Sequence, residues 1–441
     1  MNPQITGWAA DAVAAWFVDR TSPRDAMAAM PALREALPSD LAAVARAAAA
    51  ALGGMRRLEF ALAGGQGLVG MMPRRRAHAL VLAAAVLRDE MLPDGASRQF
   101  GAGDGAVDFA RLLRVDEAIA ATPDPVARFG RRHSVPDWFA ARLMAQHGDE
   151  ADAIATALAS PAPRTLRANL LKVRDRDELA RELAAERVPT RPARFAATAL
   201  HVDGDADLFA TMAFQRGAFE QQDEASQLAC AAVAPPPGGK VLDACAGNGG
   251  KTLALAAALA NRGVVAAADV HEGRLEALRK RARRAGATNL AVHRVDERSW
   301  TADVLAFAGR ADRILIDAPC TGTGSWRRRP EARWGIDEAS FHQLARAQED
   351  LLGRAAAALR PGARLIYATC SLLAEENEAR VASLLRRRPE LEVVRLAEIL
   401  GAAAATPIAD ATGAFLSLRP DRHGCDGFFA AVLRRPRAGS G

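Results

Sequence analysis

From Lys240 onward, apolar and polar positions fall into blocks of two lengths. The short apolar runs Val241–Asp243, Val264–Asp269, Ala291–Asp296, Arg313–Asp317 and Ala363–Thr369 read as strands, and four of the five end in Asp. The longer stretches Thr252–Asn261, Glu272–Ala285 and Asp337–Leu359 read as helices, the last stopped by Arg360-Pro-Gly. Such alternation predicts a doubly wound parallel sheet with its ligand site at the carboxyl ends of the strands. Residues 1 to about 130 are Ala-rich and read as helices, for example Asp40–Arg46 and Arg76–Arg88. Pro93-Asp-Gly and Gly101-Ala-Gly-Asp-Gly read as loops there. A connecting segment is expected near Thr122-Pro-Asp-Pro, then a helix with Pro136 inside its first turn. Arg164–Lys172 reads as a strand and Asp177–Arg187 as a helix capped by Asp175 or Asp177. The expected domains are therefore 1–130 (helical), 131–220 (a linker with a small α/β module) and 221–436 (the α/β sheet).

Composition narrows this picture. Half of the 441 residues are apolar, ample for more than one core, yet no uninterrupted apolar run reaches membrane-spanning length. Met1-Asn-Pro-Gln-Ile-Thr-Gly lacks the basic and apolar order of a secretory signal, so a cytoplasmic protein is expected, without a membrane partner. Cys230, Cys245, Cys320, Cys370 and Cys425 are widely spaced, which argues against a disulfide scaffold or a zinc ribbon and for free thiols; no metal is expected. A net charge of +6 permits a polyanionic partner. Arg56, Arg57 and Arg74–Arg76 could face RNA or form a solvated helix edge, and Arg327, Arg328 and Arg329 offer charge to a phosphate-bearing partner.

The loop Asp243-Ala-Cys-Ala-Gly-Asn-Gly-Gly-Lys-Thr252 joins the first strand of the sheet to a helix, and its glycines let backbone amides approach a ligand. A phosphate-binding loop of the form G-x-x-x-x-G-K-T would need Gly where Cys245 stands, and G-x-G-x-x-G is absent. Asp269 at the end of the second strand can hold ribose hydroxyls, and Asp296, expected to end the third, can reach an adenine amino group. A nucleoside ligand without a required phosphate fits best, and S-adenosylmethionine is the obvious one. Cys245, Cys230 and Cys425 read as packed structural thiols.

Cys320 in Asp-Ala-Pro-Cys and Cys370 in Ala-Thr-Cys-Ser each follow a strand, so both thiols belong on one edge of the sheet. Two thiols beside a methyl donor suit carbon 5 of a pyrimidine, a poor nucleophile until a thiolate adds to carbon 6. The reaction needs one covalent nucleophile and one further acid or base. Lys251 or the arginine run could favour a thiolate, and Asp317 could hydrogen-bond the base edge. The target base must leave its stack, which RNA loops permit at low cost.

These residues carry a resemblance. Asp-Ala-Cys-Ala-x-x-Gly-Gly-Lys-Thr, Asp-Ala-Pro-Cys-Thr-Gly-Thr-Gly, Arg-Arg-Arg-Pro-Glu-Ala-Arg-Trp and Ala-Thr-Cys-Ser-Leu-Leu-x-Glu-Glu-Asn resemble the RNA cytosine-5 methyltransferases of the Sun family across about residues 160–434. The branch that acts on small-subunit ribosomal RNA is the nearest, with His133-Ser-Val-Pro-Asp-Trp and Leu166-Arg-Ala-Asn fitting it. The resemblance implies a Rossmann-like S-adenosylmethionine-dependent methyltransferase sheet, an N-terminal all-α NusB-like domain and a small α/β RNA-binding module, acting on RNA; a monomer is expected. By that resemblance Cys370 is the nucleophile, and Cys320 assists proton removal or product release. Asp317 and Lys251 complete the catalytic group. Ala244, Cys245, Ala246, Gly247, Asn248, Gly249, Gly250, Lys251, Asp269, Arg274, Asp296 and Asp317 hold the cofactor, and Arg327–Arg329 bind RNA. The family has Ala-Pro where this chain has Gly247-Asn248; Asn tolerates left-handed geometry there. The same chemistry on transfer RNA, or a non-catalytic ribosome-assembly factor, are the alternatives.

Overall fold

The computed structural model describes residues 2–63, 68, 70–101 and 107–437. Two compact units divide the chain: Met1–Pro161 with Trp326–Glu338, and Ala162–Ser325 with Ala339–Gly441.

The first unit is helical, with a core in which Ala9, Val13, Val44, Ala48, Leu52, Leu80, Val81 and Phe109 are buried. Small side chains let its long helices, Pro3–Asp19, Pro38–Gly53 and Pro73–Leu87, lie close together. Proline starts these helices rather than breaking them, because the first turn has no partner for the missing N–H. Pro93-Asp-Gly, expected as a loop, is accordingly the first turn of a helix over Pro93–Phe100. Thr122-Pro-Asp-Pro likewise opens the helix Pro125–His133, where Asp124 accepts from the Ala127 N–H at 2.6 Å. Of the Gly101–Gly105 loop, 102–105 lie outside the described residues. Pro136 is the N-cap of Asp137–His147 rather than part of its first turn. The unit continues to Pro161, past the expected boundary at residue 130.

Trp326–Glu338, which follows the Cys320 loop in sequence, packs within this helical unit. Trp326 packs against Phe139 with ring centroids 4.6 Å apart and the planes tilted by 58°. Arg333 is buried, donating to the carbonyls of Ser134 at 3.1 Å and Gly53 at 3.3 Å.

The second unit begins with a four-stranded antiparallel sheet in the order β2-β3-β1-β4, formed by β1 Arg164–Ala168, β2 Thr190–Pro192, β3 Ala199–Val202 and β4 Phe219–Gln221. The helix Arg176–Ala185, capped by Asp175, packs Leu179 and Leu183 against Leu166, Leu200 and Phe219.

The main sheet comprises β5 Lys240–Asp243, β6 Val264–Asp269, β7 Leu290–Arg294, β8 Arg313–Asp317, β9 Arg364–Thr369, β10 Glu392–Val393, β11 Leu416–Leu418 and β12 Phe428–Arg434. Its order is β10-β12-β9-β8-β5-β6-β7, with β11 paired to β12. Strands β5 to β9 pair in parallel and β12 runs antiparallel to β9. Val241, Val265, Leu315 and Ile366 face one core layer; Leu242, Ala266, Ile314, Ile316 and Leu365 face the other. Burial on both faces explains the uninterrupted apolar runs, and each buried Ile or Leu contributes about 1.5–3 kcal/mol relative to exposure. Strand order reverses between β5 and β8, so a crevice opens at their carboxyl ends. Strand β7 stops at Arg294, short of the expected Asp296. The chain turns there, with Asp296 and Ser299 exchanging backbone hydrogen bonds, and Asp296 is exposed two residues past the strand.

Candidate active site

The loop after β5 is shaped by two glycines. Gly247 has φ +53° and Gly249 φ +84°, both in the left-handed region where a side chain is strained. A Cβ on Gly249 would also come within 2.7 Å of Leu278. Asn248 between them is not left-handed, so the tolerance of Asn for that geometry is not what the loop uses. Its position depends instead on Arg281, whose guanidinium donates to the Asn248 carbonyl at 2.7 Å and to the buried Glu220 of β4 at 2.8 Å. Sequence reasoning passed over both residues, since Arg281 sits in a basic helix that reads as a solvated face.

The loop brings together Ala244, Cys245, Ala246, Gly247, Asn248, Gly249, Gly250 and Lys251, and the helix Gly250–Ala258 begins at its end. Asp269 accepts from the Gly247 N–H at 2.8 Å and from the His271 N–H at 2.9 Å, which fixes the loop to the end of β6. Asp243 is fully buried and accepts from Thr252 at 2.7 Å. Burial pushes its carboxyl up to about 6, and Asp317 adds to the shift. Arg274 is exposed on the helix Glu272–Ala285. Burial raises the Cys245 thiol far above its ordinary range and Cys230 to about 11, in keeping with packed, unreactive sulfurs. All five cysteines are free.

This donor set fits S-adenosylmethionine. The space beside Gly247 is open where a Cβ would stand, backbone amides begin a helix at Gly250, and Asp243 Oδ1 has no hydrogen-bond partner among the described residues. A nucleoside with a carboxylate-bearing tail requires such amides and acceptors.

The second half of the site lies at the ends of β8 and β9, where Asp317 pairs in register with Ala368. The sulfurs of Cys320 and Cys370 are 3.5 Å apart. Lys251 Nζ is 2.7 Å from Asp317 Oδ2 and 4.9 Å from the Phe428 ring centroid. Burial works against the Lys251 ammonium, but its ion pair with Asp317 outweighs this and raises the group above its ordinary value. The two thiols are driven apart. Cys370 lies below the usual thiol value because Cys320 hydrogen-bonds to it, with Lys251 and Ser325 assisting against burial. Cys320 lies well above it, through that same hydrogen bond, burial and the charges of Cys370 and Glu376. Of the two, Cys370 is the more readily ionised thiol, and either sulfur can be the donor across the 3.5 Å contact.

Arg328 and Arg329 are exposed and Arg327 is half-buried, and Arg329 pairs with Glu331 at 3.3 Å. Of the other basic residues weighed for RNA, four form ion pairs within the helical unit, Arg56 with Asp137, Arg57 with Asp116, Arg74 with Asp11 and Arg76 with Glu59, and Arg75 lies over the Phe100 ring at 4.2 Å. Among the described residues no cluster of His, Cys, Asp or Glu could hold a metal, and no helix is long and apolar enough to cross a membrane.

Known proteins share this architecture. The family described as 16S rRNA methyltransferase RsmB/F matches residues 230–434, and the RsmF/B-like ferredoxin-like domain matches residues 135–208. The probable ribosomal RNA small subunit methyltransferase B of Bacillus subtilis is 31% identical over 317 residues, 71% of this chain and 69% of its own. The 28S rRNA (cytosine-C(5))-methyltransferase of Mus musculus is 34% identical over 289 residues, 62% of this chain and 35% of its own. The crystal structure of PH0851 aligns with a TM-score of 0.79 at 24% identity, covering 98% of this chain and 99% of that one, a likeness of fold. Sheet order, cofactor loop and sequence similarity converge: the chain belongs to the RsmB/F family of S-adenosylmethionine-dependent RNA methyltransferases.

Proposed function

We propose that this enzyme methylates carbon 5 of a cytosine in small-subunit ribosomal RNA through a covalent adduct with Cys370. The observation that carries the reading is the unequal thiol pair, with sulfurs 3.5 Å apart at the ends of adjacent parallel strands and beside the Lys251–Asp317 pair. The Cys370 thiolate adds to carbon 6, and Asp317, held by Lys251, accepts hydrogen bonds from the base edge and so favours protonation at ring nitrogen 3, which makes carbon 6 more electrophilic. S-adenosylmethionine supplies the electrophilic methyl group that carbon 5 then takes. Loss of the carbon 5 proton to a base and departure of the Cys370 sulfur restore the 5,6 double bond. Cys320, protonated at rest, donates its hydrogen bond to the departing thiolate and so favours release. The loop Ala244–Lys251, Asp269 and Arg274 hold the cofactor, with Asp296 as a further contact past β7.

The RNA reading extends to the rest of the chain. The helical unit, the small module and Arg327–Arg329 contact RNA backbone, and the enzyme works as a cytoplasmic monomer. The family description and the Bacillus subtilis relative support small-subunit ribosomal RNA as the substrate. Bisulfite sequencing of ribosomal and transfer RNA, from cells with and without the protein, tests activity and target together. A cytosine in 16S RNA that loses protection without the protein is expected. A lost signal confined to transfer RNA would reassign the substrate, and none in either RNA would contradict the methylation reading.

A further inference from the structure

Just beyond the second thiol, one carboxylate touches both thiol-bearing loops. Glu376 is fully buried, and four donors converge on its two oxygens. Oε1 accepts from the Thr321 N–H at 3.0 Å and from Gln348 Nε2 at 2.9 Å. Oε2 accepts from the hydroxyls of Thr321 and Ser371, each at 2.5 Å. Thr321 directly follows Cys320, and Ser371 directly follows Cys370.

The neighbouring bonds close the frame around each thiol. Gln348 also donates to the Pro319 carbonyl at 2.9 Å, so the residues before and after Cys320 are both tied to the Gln348–Glu376 pair. Asn377 does the same for Cys370. It accepts from Thr369 at 2.5 Å and donates to the Ser371 carbonyl at 2.9 Å. The Tyr367 hydroxyl, from β9, donates to the backbone carbonyl of Glu376 at 2.6 Å. Burying a carboxylate without a cationic partner is costly, and four donors are the arrangement that makes it tolerable. The two loops also meet directly, where the Gly324 N–H donates to the Cys370 carbonyl at 2.9 Å and the Leu372 N–H to the Thr323 hydroxyl at 2.8 Å; Glu376 adds the bridge beside the thiols themselves.

We infer that Glu376 is a positioning residue for the methyl transfer: by bridging Thr321 and Ser371 it fixes the nucleophilic and release thiols against one another. Its charge also lies near Cys320 and helps keep that thiol protonated. The inference rests on the covalent mechanism proposed above, and its test reads thiol spacing without RNA or cofactor.

Dibromobimane becomes fluorescent when it links two neighbouring thiols, so its reaction rate reports how Cys320 and Cys370 are held. Cys320→Ser supplies the background from the other cysteines. In Glu376→Ala, linking and single-turnover methyl transfer are both expected to slow by about tenfold or more, while cofactor affinity by calorimetry stays within about twofold. Glu376→Gln is expected to restore linking to within about threefold, because the hydroxyls of Thr321 and Ser371 can turn to accept from its amide. If Glu376→Ala does not fold, Thr321→Val with Ser371→Ala removes half the bridge, and linking is expected to slow by about threefold or more. A folded Glu376→Ala or double variant that links its thiols and methylates at the wild-type rate would overturn the inference. If instead linking depends on Glu376 but Cys320→Ser forms no RNA adduct, the bridge stands and the covalent chemistry fails.

Discussion

Replacing Cys320 by Ala removes the sulfhydryl that hydrogen-bonds Cys370, and the consequence can be sized from the geometry. The Cys320 sulfur is 3.5 Å from Cys370, the Ser325 hydroxyl is at the edge of reach at 4.0 Å, and Lys251 contributes through its charge. A hydrogen bond to a charged group contributes about 1.5–3 kcal/mol, and a weak sulfur donor brings this to roughly 1 kcal/mol. Since 1.36 kcal/mol is one pKa unit, the Cys370 value is expected to rise by about 0.7 unit. The thiolate exists above that value, so the alkylation profile moves to higher pH and the rate near neutrality falls roughly fivefold. The assay is iodoacetamide labelling across pH, with Cys370 followed by peptide mass spectrometry in the absence of RNA. In the converse variant, Cys370→Ala, the Cys320 thiol is expected to stay slow, because burial and the charge of Glu376 remain. Preferential labelling of Cys320 in the wild type, or an unmoved Cys370 midpoint in Cys320→Ala, would refute the assignment.

Three further outcomes are expected. Arg281→Ala removes the 2.7 Å bond to the Asn248 carbonyl; for a partly exposed guanidinium this is about 1 kcal/mol, so calorimetry should show roughly fivefold weaker S-adenosylmethionine binding. Asp243 has a folded value raised from 3.8 to about 6, so its contribution to stability is complete below the unfolded value and fades as pH rises through about 6. Urea unfolding at successive pH values should therefore show a loss on the order of 2–3 kcal/mol over that interval, which Asp243→Asn abolishes; an unchanged slope would contradict the burial argument. Arg333→Ala takes the donor from three backbone carbonyls, those of Gly53, Ser134 and Leu158. The helical unit should then melt roughly 5–10 °C lower and become sensitive to limited proteolysis, and unchanged melting would show that the carbonyls find other partners.

Much of the sheet was legible because its physics is local. Strands β6 and β8 and the helix Glu272–Ala285 match their sequence bounds, since strands buried on both faces are unbroken apolar runs and Asp marks their polar ends. The apolar-then-Asp rule misled at β7, where the chain turns before Asp296. Prolines misled in the helical unit, where Pro93 is a first-turn residue and was read as a breaker. The partners of the positive charges were not legible. Arg56 and Arg57 find Asp137 and Asp116 from distant helices, and such pairing has no sequence signature. The same holds for Arg333, whose acceptors come from three separate segments, and for the passage of Trp326–Glu338 into the helical unit. In the site, two thiols at strand ends could be read from the chain. Their 3.5 Å separation, the Arg281 clamp and the Glu376 bridge depend on register and tertiary packing.

The central claim is that Cys370 bonds covalently to the RNA base and that Cys320 lets it go. Incubating Cys320→Ser with S-adenosylmethionine and 16S ribosomal RNA, then running a denaturing gel, tests both halves at once. A protein–RNA band that withstands denaturation, and is absent when Cys370 is also replaced by Ser, is the expected result. A band that persists without Cys370, or no band in Cys320→Ser while that variant still methylates, would contradict the account.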